Sequence, residues 1–281
     1  MLENEPFIRW AGGKNWLIKY LPPLIDKLKY KNYYEPFLGG AAVFFAFAHP
    51  KHCYLSDINQ DLVDTYIAVR DMPEEVYRYF LLFQNNEEDY YRVRNLLPED
   101  SAEKAARFIF LNQTSFNGIY RVNKQGEYNV PYGKRTNLNY SKDRIIMTSK
   151  KLQKVKVRCC DFEGYKYRIK EGDLVFLDPP YTVSHNNNGF IEYNQVLFSL
   201  EDQYRLSRFI DFIKSKGAFY ILTNTAHPII KEIFEKDGDR ILSLSRHSSI
   251  GGKQAKRESV LEYVFTNIPE EVIADVENNL V

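Results

Sequence analysis

The sequence predicts an α/β fold: a largely parallel sheet whose strands are joined by helices, interrupted by a helical insertion. Three observations carry this. Short apolar runs alternate with helical stretches, most of those runs are apolar throughout, and between about residues 60 and 150 the strand pattern disappears. A strand covered on both faces has no polar side to show, so an unbroken apolar run is what a parallel sheet should leave in the sequence.

In chain order, the predicted strands are 33–35 (YYE), 53–56 (CYLS), 155–159 (VKVRC), 173–177 (DLVFL), 218–223 (AFYILT) and 261–266 (LEYVFT). The best-marked helix is 200–216. Ser199 and Asp202 offer a capping box, Leu206, Phe209, Ile210 and Ile213 share one face, and Gly217 stands where helices stop. Inside the insertion, 73–86 opens with Pro and two acids, and Asp100 with Glu103 precedes the face of Ala105, Phe108 and Ile109. Residues 115–134 carry turn signals at Asn117-Gly118, Gln125-Gly126 and Pro131-Tyr132-Gly133, which predicts a protruding hairpin or loop. The tail 269–281 reads as a surface helix or a frayed end. The expected organisation is a discontinuous catalytic domain, 1–60 with 151–281, and a helical domain, 61–150.

Composition sets bounds. The chain has 281 residues, 44% of them hydrophobic, which is enough for a substantial core and excludes a disordered or fibrous chain. The longest apolar runs, such as 41–48, fall short of the roughly 18 residues a membrane span needs, and the first ten residues show no leader pattern. Three cysteines, Cys53 and the adjacent Cys159 and Cys160, suit a reducing cytoplasm, and no metal-ligand spacing occurs, so no metal is expected. Net charge is only +1, yet from Asn117 to Arg158 eleven Lys and Arg face two acids. That segment is the local footprint of phosphate contact, concealed in a neutral sum.

Three strings carry chemistry. Asp178-Pro179-Pro180-Tyr181 follows the apolar strand LVFL, and the C-terminal end of such a strand is where open α/β sheets bind ligands. Two prolines remove amide donors and leave rigid carbonyls. With the Asp178 carboxylate and the Tyr181 ring they offer acceptors to an NH₂ group and a platform for its heterocycle; an ordinary Asp-Pro turn is the plainer alternative. Glu35-Pro36-Phe37-Leu38-Gly39-Gly40 closes the first strand and opens a helical run at Ala41, while Asp57 ends the next strand 22 positions after Glu35. An acid there is placed for a ribose hydroxyl in a nucleoside-binding βαβ unit. Arg9-Trp10-Ala11-Gly12-Gly13-Lys14 lacks the first glycine and the Ser/Thr of a phosphate loop, leaving Trp10 and Lys14 as a ring and a cation for a bound carboxylate.

In this order, FIRWAGGK, EPFLGGAAVF, YLSDIN and DPPY resemble the motifs of the Dam-like DNA adenine methyltransferase family, and LNQTSFNGIYRVNKQGEYNVPYG resembles its target-recognition hairpin. The resemblance runs from Phe7 to about Phe219. It implies a Rossmann-like methyltransferase sheet with helices on both faces, plus the inserted helical target-recognition domain with its β-hairpin. It implies S-adenosyl-L-methionine as cofactor, held by Trp10, Ala11, Gly12, Lys14, Glu35, Pro36, Phe37, Gly39, Asp57, Ile58, Asp161, Phe162 and Asp178. Catalysis falls to Asp178, Pro179, Pro180 and Tyr181. Contacts to double-stranded DNA fall to Arg9, Phe116, Asn117, Ile119, Arg121, Asn123, Pro131 and Lys134, with Phe116 as the wedge and Arg121 as the guanine reader. Asn117 and Asn123 are equally placed to brace the hairpin, and Phe162 to fill core.

The implied reaction is methylation of the N6 amine of a flipped-out adenine, with GATC as the leading site and an active monomer. A restriction endonuclease partner is compatible with this. Methylation of cytosine N4 or RNA, or a silent DNA-binding relative, are the alternatives. Loop 182–195 is expected to be a lid, and 248–257 a second phosphate loop or a solvated turn.

Overall fold

The computed structural model describes residues 5–25, 27–47, 49–50, 52–136, 138, 140–182, 198–247 and 259–269. In chain order the regular elements are α1 (Pro22–Ile25), β1 (Tyr33–Glu35), α2 (Ala42–Ala46), β2 (Cys53–Asp57), α3 (Gln60–Asp71), α4 (Pro73–Phe80), α5 (Glu87–Arg94), α6 (Ser101–Thr114), α7 (Lys142–Leu152), β3 (Val155–Cys159), β4 (Leu174–Leu177), α8 (Leu200–Ser215), β5 (Phe219–Thr225), α9 (Pro228–Phe234), β6 (Arg240–His247) and β7 (Ser259–Thr266). The strands follow the order β3-β2-β1-β4-β5-β7-β6 in one sheet, so the fold is α/β as expected. Most of loop 182–195, the segment 248–257 and the tail from residue 270 lie outside the described residues. Among the described residues, no helix is long and apolar enough to cross a membrane.

Packing divides the chain into two compact units, Met1–Asn15 with Leu38–Phe162, and Trp16–Phe37 with Glu163–Val281. This division by contacts differs from the expected division by role, 1–60 with 151–281 and 61–150.

The first unit holds β2, β3 and helices α2 to α7. Strands β2 and β3 pair in parallel from Cys53↔Val155 to Asp57↔Cys159. Only Val155 is buried in β3, while Lys156 and Arg158 are exposed, as suits a strand at the sheet edge. The helical reading of 60–150 holds. Helix α6 begins at Asp100, whose carboxylate accepts the N–H groups of Ala102 and Glu103, and its Ala105, Ala106, Ile109 and Phe110 are buried. Helix α2 starts one residue after Ala41, which sits left-handed at φ 53°, and it is only five residues long. The expected helical run at Ala41 is therefore a single short turn.

The second unit holds β1, β4, β5, β7 and β6 with α1, α8 and α9. Strand β1 pairs in parallel with β4 and β4 with β5, the latter from Leu174↔Phe219 to Leu177↔Leu222. All four residues of β4 are buried, as a strand covered on both faces requires. Strand β7 enters antiparallel between β5 and β6. The chain leaves β1 for β2 on one side and returns at β4 on the other, so the order reverses between β1 and β4. Such a reversal opens a crevice at the strands' C-terminal ends. Strand β6 was not predicted.

Helix α8 is built as its sequence indicates. Ser199 Oγ accepts the Asp202 N–H and the Asp202 carboxylate accepts the Ser199 N–H, closing the capping box. Gly217 at φ 68° follows its end. Leu206, Phe209, Ile210 and Ile213 are fully buried. Ser199→Ala, which removes one half of the reciprocal cap, is expected to lower stability by about 1 kcal/mol. Urea unfolding checks this as a lower midpoint with unchanged slope.

Candidate active site

In the second unit the switch point brings two of the three strings side by side. Glu35-Pro36-Phe37 leaves the end of β1, and Asp178-Pro179-Pro180-Tyr181 leaves the end of the neighbouring β4. Glu35 is buried and its Oε2 accepts the Tyr33 hydroxyl at 2.8 Å. Phe37 meets Phe198 edge-on, with ring centroids 5.6 Å apart.

The tetrapeptide is tied down at several points. Thr223 Oγ1 donates to Asp178 Oδ1 at 2.8 Å, and the Tyr181 hydroxyl donates to Glu262 Oε2 on β7 at 2.5 Å. Gln203, wholly buried in α8, donates to Thr182 Oγ1 at 2.8 Å and reaches the Pro180 carbonyl at 3.5 Å. Among the described residues no hydrogen bond reaches the Pro179 carbonyl. A rigid acceptor is thus left beside the Asp178 carboxylate.

The first unit carries the other half of the predicted set. Asp57 ends β2 and clamps the glycine turn: Oδ2 accepts the Gly39 N–H and Oδ1 the Asn59 N–H, each at 3.0 Å. Burial pushes the Asp57 carboxyl above its ordinary range, and the backbone N–H bonds from Gly39, Asn59 and Ile58 pull it back. Ile58, the next residue, is an exposed aliphatic side chain, 62% accessible. Gly39 sits at φ 43°, and a Cβ there would stand 2.7 Å from the Trp10 ring. Lys14 is buried and donates to the Gly12 carbonyl at 2.7 Å. Ala11 and Gly12 are exposed, Asp161 half-buried and Phe162 buried at 3%, so Phe162 fills core whatever else it does.

Trp10 stacks on Tyr120 at 5.8 Å, whose hydroxyl donates to Asp61, while Phe108 lies against the same Tyr120 ring. Asn112, buried in α6, was not singled out from the sequence. It accepts the Arg9 N–H at 2.8 Å and donates to the Arg9 carbonyl at 2.6 Å, with the Gly118 carbonyl 3.4 Å away. One amide therefore fixes the N-terminal string against the Asn117-Gly118 turn. The Arg9 side chain lies against Gly118, and burial followed by the nearby Arg135 charge lowers its pKa from the usual guanidinium range.

The hairpin forms through two isolated antiparallel bridges, Ser115↔Tyr132 and Val122↔Tyr128, in place of a continuous ladder. Asn117 and Gly118 both have positive φ, 55° and 65°, as a tight hairpin-type turn demands. Phe116 is 53% exposed, an unusual position for a phenylalanine. Arg121, Pro131 and Lys134 are exposed and Ile119 half-buried. Arg121 Nε donates to Asn129 Oδ1 at 2.8 Å. Asn123 braces the tip: its Oδ1 accepts the Gln125 and Glu127 N–H groups and its Nδ2 donates to Glu127. The basic segment is less uniform than its count suggests. Arg144 is buried on the Pro6 carbonyl, and Lys142 pairs with Glu74 at 3.7 Å.

The first unit thus carries a glycine turn clamped by an acid and an exposed aromatic on a hairpin, and the second an Asp-Pro-Pro-Tyr segment at a switch point. Residues 10–250 match the model of the D12 class N6 adenine-specific DNA methyltransferase family, and the chain belongs to that family. Its reaction class is transfer of a methyl group to adenine N6 in DNA. The chain is 32% identical over 274 residues to type II methyltransferase M1.LlaDCHI of Lactococcus lactis subsp. cremoris, covering 94% of this chain and 95% of that protein. It is 35% identical over 246 residues to type II methyltransferase M.MjaIII of Methanocaldococcus jannaschii, covering 80% and 85%. It is 27% identical to the DNA adenine methylase of Escherichia coli strain K12, covering 93% and 95%.

Gly39→Ala is expected to cost about 1–2 kcal/mol for the left-handed backbone and to displace the Trp10 ring. In a Trp16→Phe background, where Trp10 is the fluorescent reporter, the check is a shifted emission maximum together with a lower unfolding midpoint.

Proposed function

We propose that this chain methylates a flipped-out adenine in duplex DNA from S-adenosylmethionine, with Asp178 and Pro179 as acceptors for the amine. The observation that carries the reading is the Asp178-Pro179-Pro180-Tyr181 segment at the switch point, with its carboxylate oriented by Thr223 and its Pro179 carbonyl unengaged among the described residues. Adenine N6 is a poor nucleophile because its lone pair is delocalised into the ring. A carboxylate and a carbonyl that accept its two hydrogens favour a tetrahedral nitrogen and so localise that lone pair. Fixed acceptors need no reorganisation as charge develops on nitrogen. The Tyr181 ring, tethered through its hydroxyl to Glu262, supplies a stacking surface for the base.

The residues of the first unit fit the cofactor. The Asp57 carboxylate keeps acceptor capacity beyond the N–H groups it already binds, enough for a ribose hydroxyl, and exposed Ile58 offers an apolar face to a purine. Trp10, Ala11, Gly12, Lys14, Gly39, Asp161 and Phe162 complete the first unit's share of the proposed set, with Glu35, Pro36, Phe37 and Asp178 from the second. When bound, S-adenosylmethionine supplies an electrophilic methyl carbon on a sulfonium. The direct displacement requires no covalent enzyme intermediate, so the protein's contribution is orientation and preorganised acceptors.

Phe116 is proposed as the wedge that fills the space the adenine leaves. Arg121 reads a guanine edge, Ile119 and Pro131 touch a thymine methyl, and Arg9 meets the first base pair. Asn117, Asn123 and Lys134 support the hairpin or meet phosphate. GATC is the site this set favours. In this reading residues 61–150 act as the target-recognition domain and 1–60 with 151–281 as the catalytic domain, and the monomer is the working form. The type II names of two relatives make a restriction endonuclease partner compatible with the reading.

The test is incubation of purified protein with tritiated S-adenosylmethionine and duplex DNA, followed by nucleoside analysis and single-molecule sequencing of the product. Label in N6-methyladenine within one short motif supports the reading, and label in cytosine or none at all overturns it. Asp178→Ala is expected to abolish transfer while DNA binding, measured by anisotropy, changes less than threefold, about 0.65 kcal/mol. Phe116→Ala is expected to lower the fluorescence rise of 2-aminopurine placed at the target. An undiminished rise would remove the wedge role.

A further inference from the structure

Strand β5 is apolar through Tyr220, Ile221 and Leu222 and then turns polar at Thr223, Asn224 and Thr225, all three buried. A buried polar side chain is costly unless bonded, by about 1–3 kcal/mol. The side-chain bonds of Thr223 and Asn224 converge on one segment. Leu177 and Leu222 are paired in the parallel register, so the next residue of each strand, Asp178 and Thr223, stand side by side. The Thr223 hydroxyl has a single proton, and the Asp178 carboxylate oxygen at 2.8 Å takes it in preference to the Leu177 carbonyl at 3.5 Å. Asn224 Nδ2 donates to Gln203 Oε1 at 3.1 Å, and Gln203 Nε2 in turn holds Thr182 Oγ1 and approaches the Pro180 carbonyl.

We infer that Thr223 is a positioning residue for methyl transfer. Its hydroxyl fixes the rotation of the Asp178 carboxylate, while the Asn224–Gln203 relay holds the backbone just beyond Pro180. Two prolines make the segment stiff, but they do nothing to the Asp178 side-chain torsions. A carboxylate free to rotate presents its oxygen to the amine only part of the time, and misplacement by about 1 Å at a reacting centre costs on the order of 100-fold. The inference rests on the proposed role of Asp178 as acceptor for the amine.

Single-turnover methyl transfer under saturating cofactor and DNA separates the reaction step from binding. Thr223→Val keeps the shape and removes the hydroxyl, and the transfer rate is expected to fall at least tenfold, about 1.4 kcal/mol. Cofactor and DNA dissociation constants should stay within twofold, about 0.4 kcal/mol. Thr223→Ser, which keeps the hydroxyl, is expected to recover most of the rate. Rates are normalised to the fraction of protein that binds cofactor, so partial unfolding does not pass for lost chemistry. Should the Val variant not fold, Thr223→Ala against Thr223→Ser carries the same comparison.

A Val or Ala variant within twofold of the parent overturns the inference, as does an equal loss in the Ser variant. Failure of the underlying reading looks different: Asp178→Ala would itself remain active.

Discussion

The register of β4 against β5 is the constraint on which the Asp178-Pro179-Pro180-Tyr181 segment depends. A parallel pair that runs from Leu174↔Phe219 to Leu177↔Leu222 ends with Asp178 and Thr223 in the next positions. A slip by one residue would turn every side chain of one strand to the opposite face and separate the carboxylate from the hydroxyl. The apolar residues enforce the register. Leu174, Val175, Phe176 and Leu177 are each 1% exposed or less, and Ile221 and Leu222 are fully buried, so a slip would drive the polar residues that flank these runs, Asp173 and Thr223, into places the apolar side chains now fill. Core packing upstream thereby sets the geometry of a polar site downstream. The same logic holds at the end of β2, where Asp57 follows the buried Leu55 and Ser56 and binds the Gly39 N–H.

Much of this was legible in the sequence, because apolar runs and glycine turns are local signals. All six predicted strands are present, with ends displaced by no more than two residues, and α8 has its predicted cap and stop. Strand β6 was missed for a physical reason. It is an edge strand of alternating character, with Leu242 and Leu244 buried and Ser243 and Ser245 exposed, whereas the runs sought were apolar throughout. Strand β3 was found although its outer position leaves two of its five residues exposed.

The candidate site was legible where a motif carried it and opaque where long-range pairing did. Asp178, Asp57 and Phe116 announce themselves by neighbours in sequence. Asn112, Gln203, Thr223 and Glu262 do not, because their partners lie 103, 21, 45 and 81 positions away. One signal was available in Thr223-Asn224-Thr225. Three polar residues closing an apolar strand at its C-terminal end sit where an open sheet binds its ligand, and burial there obliges them to find partners. Glu262 offered no such sign, since a lone acid in a strand reads as a solvent-facing residue until the fold buries it at 1% exposure.

Tyrosine side chains support the hairpin. A loop with only two isolated bridges leaves many of its carbonyls without backbone partners, and such groups are costly where water is excluded. Tyrosine hydroxyls supply the missing donors. Tyr90 donates to the Val130 carbonyl at 2.8 Å and Tyr128 to the Ile119 carbonyl at 2.8 Å, while Tyr132 ties the loop to the Asn85 side chain at 3.0 Å. Burial pushes the Tyr128 pKa up to about 12, so the hydroxyl remains a donor even in alkaline solution where an exposed tyrosine would ionise. Phenylalanine could fill the same volume but could not hold the irregular backbone. Phe116 needs no such handle, since its own N–H is already bonded to the Pro131 carbonyl and its ring stands exposed. The wedge role proposed for Phe116 requires such a tyrosine-backed support: the ring must keep its place when it enters a base stack, and the loop beneath it must not yield first.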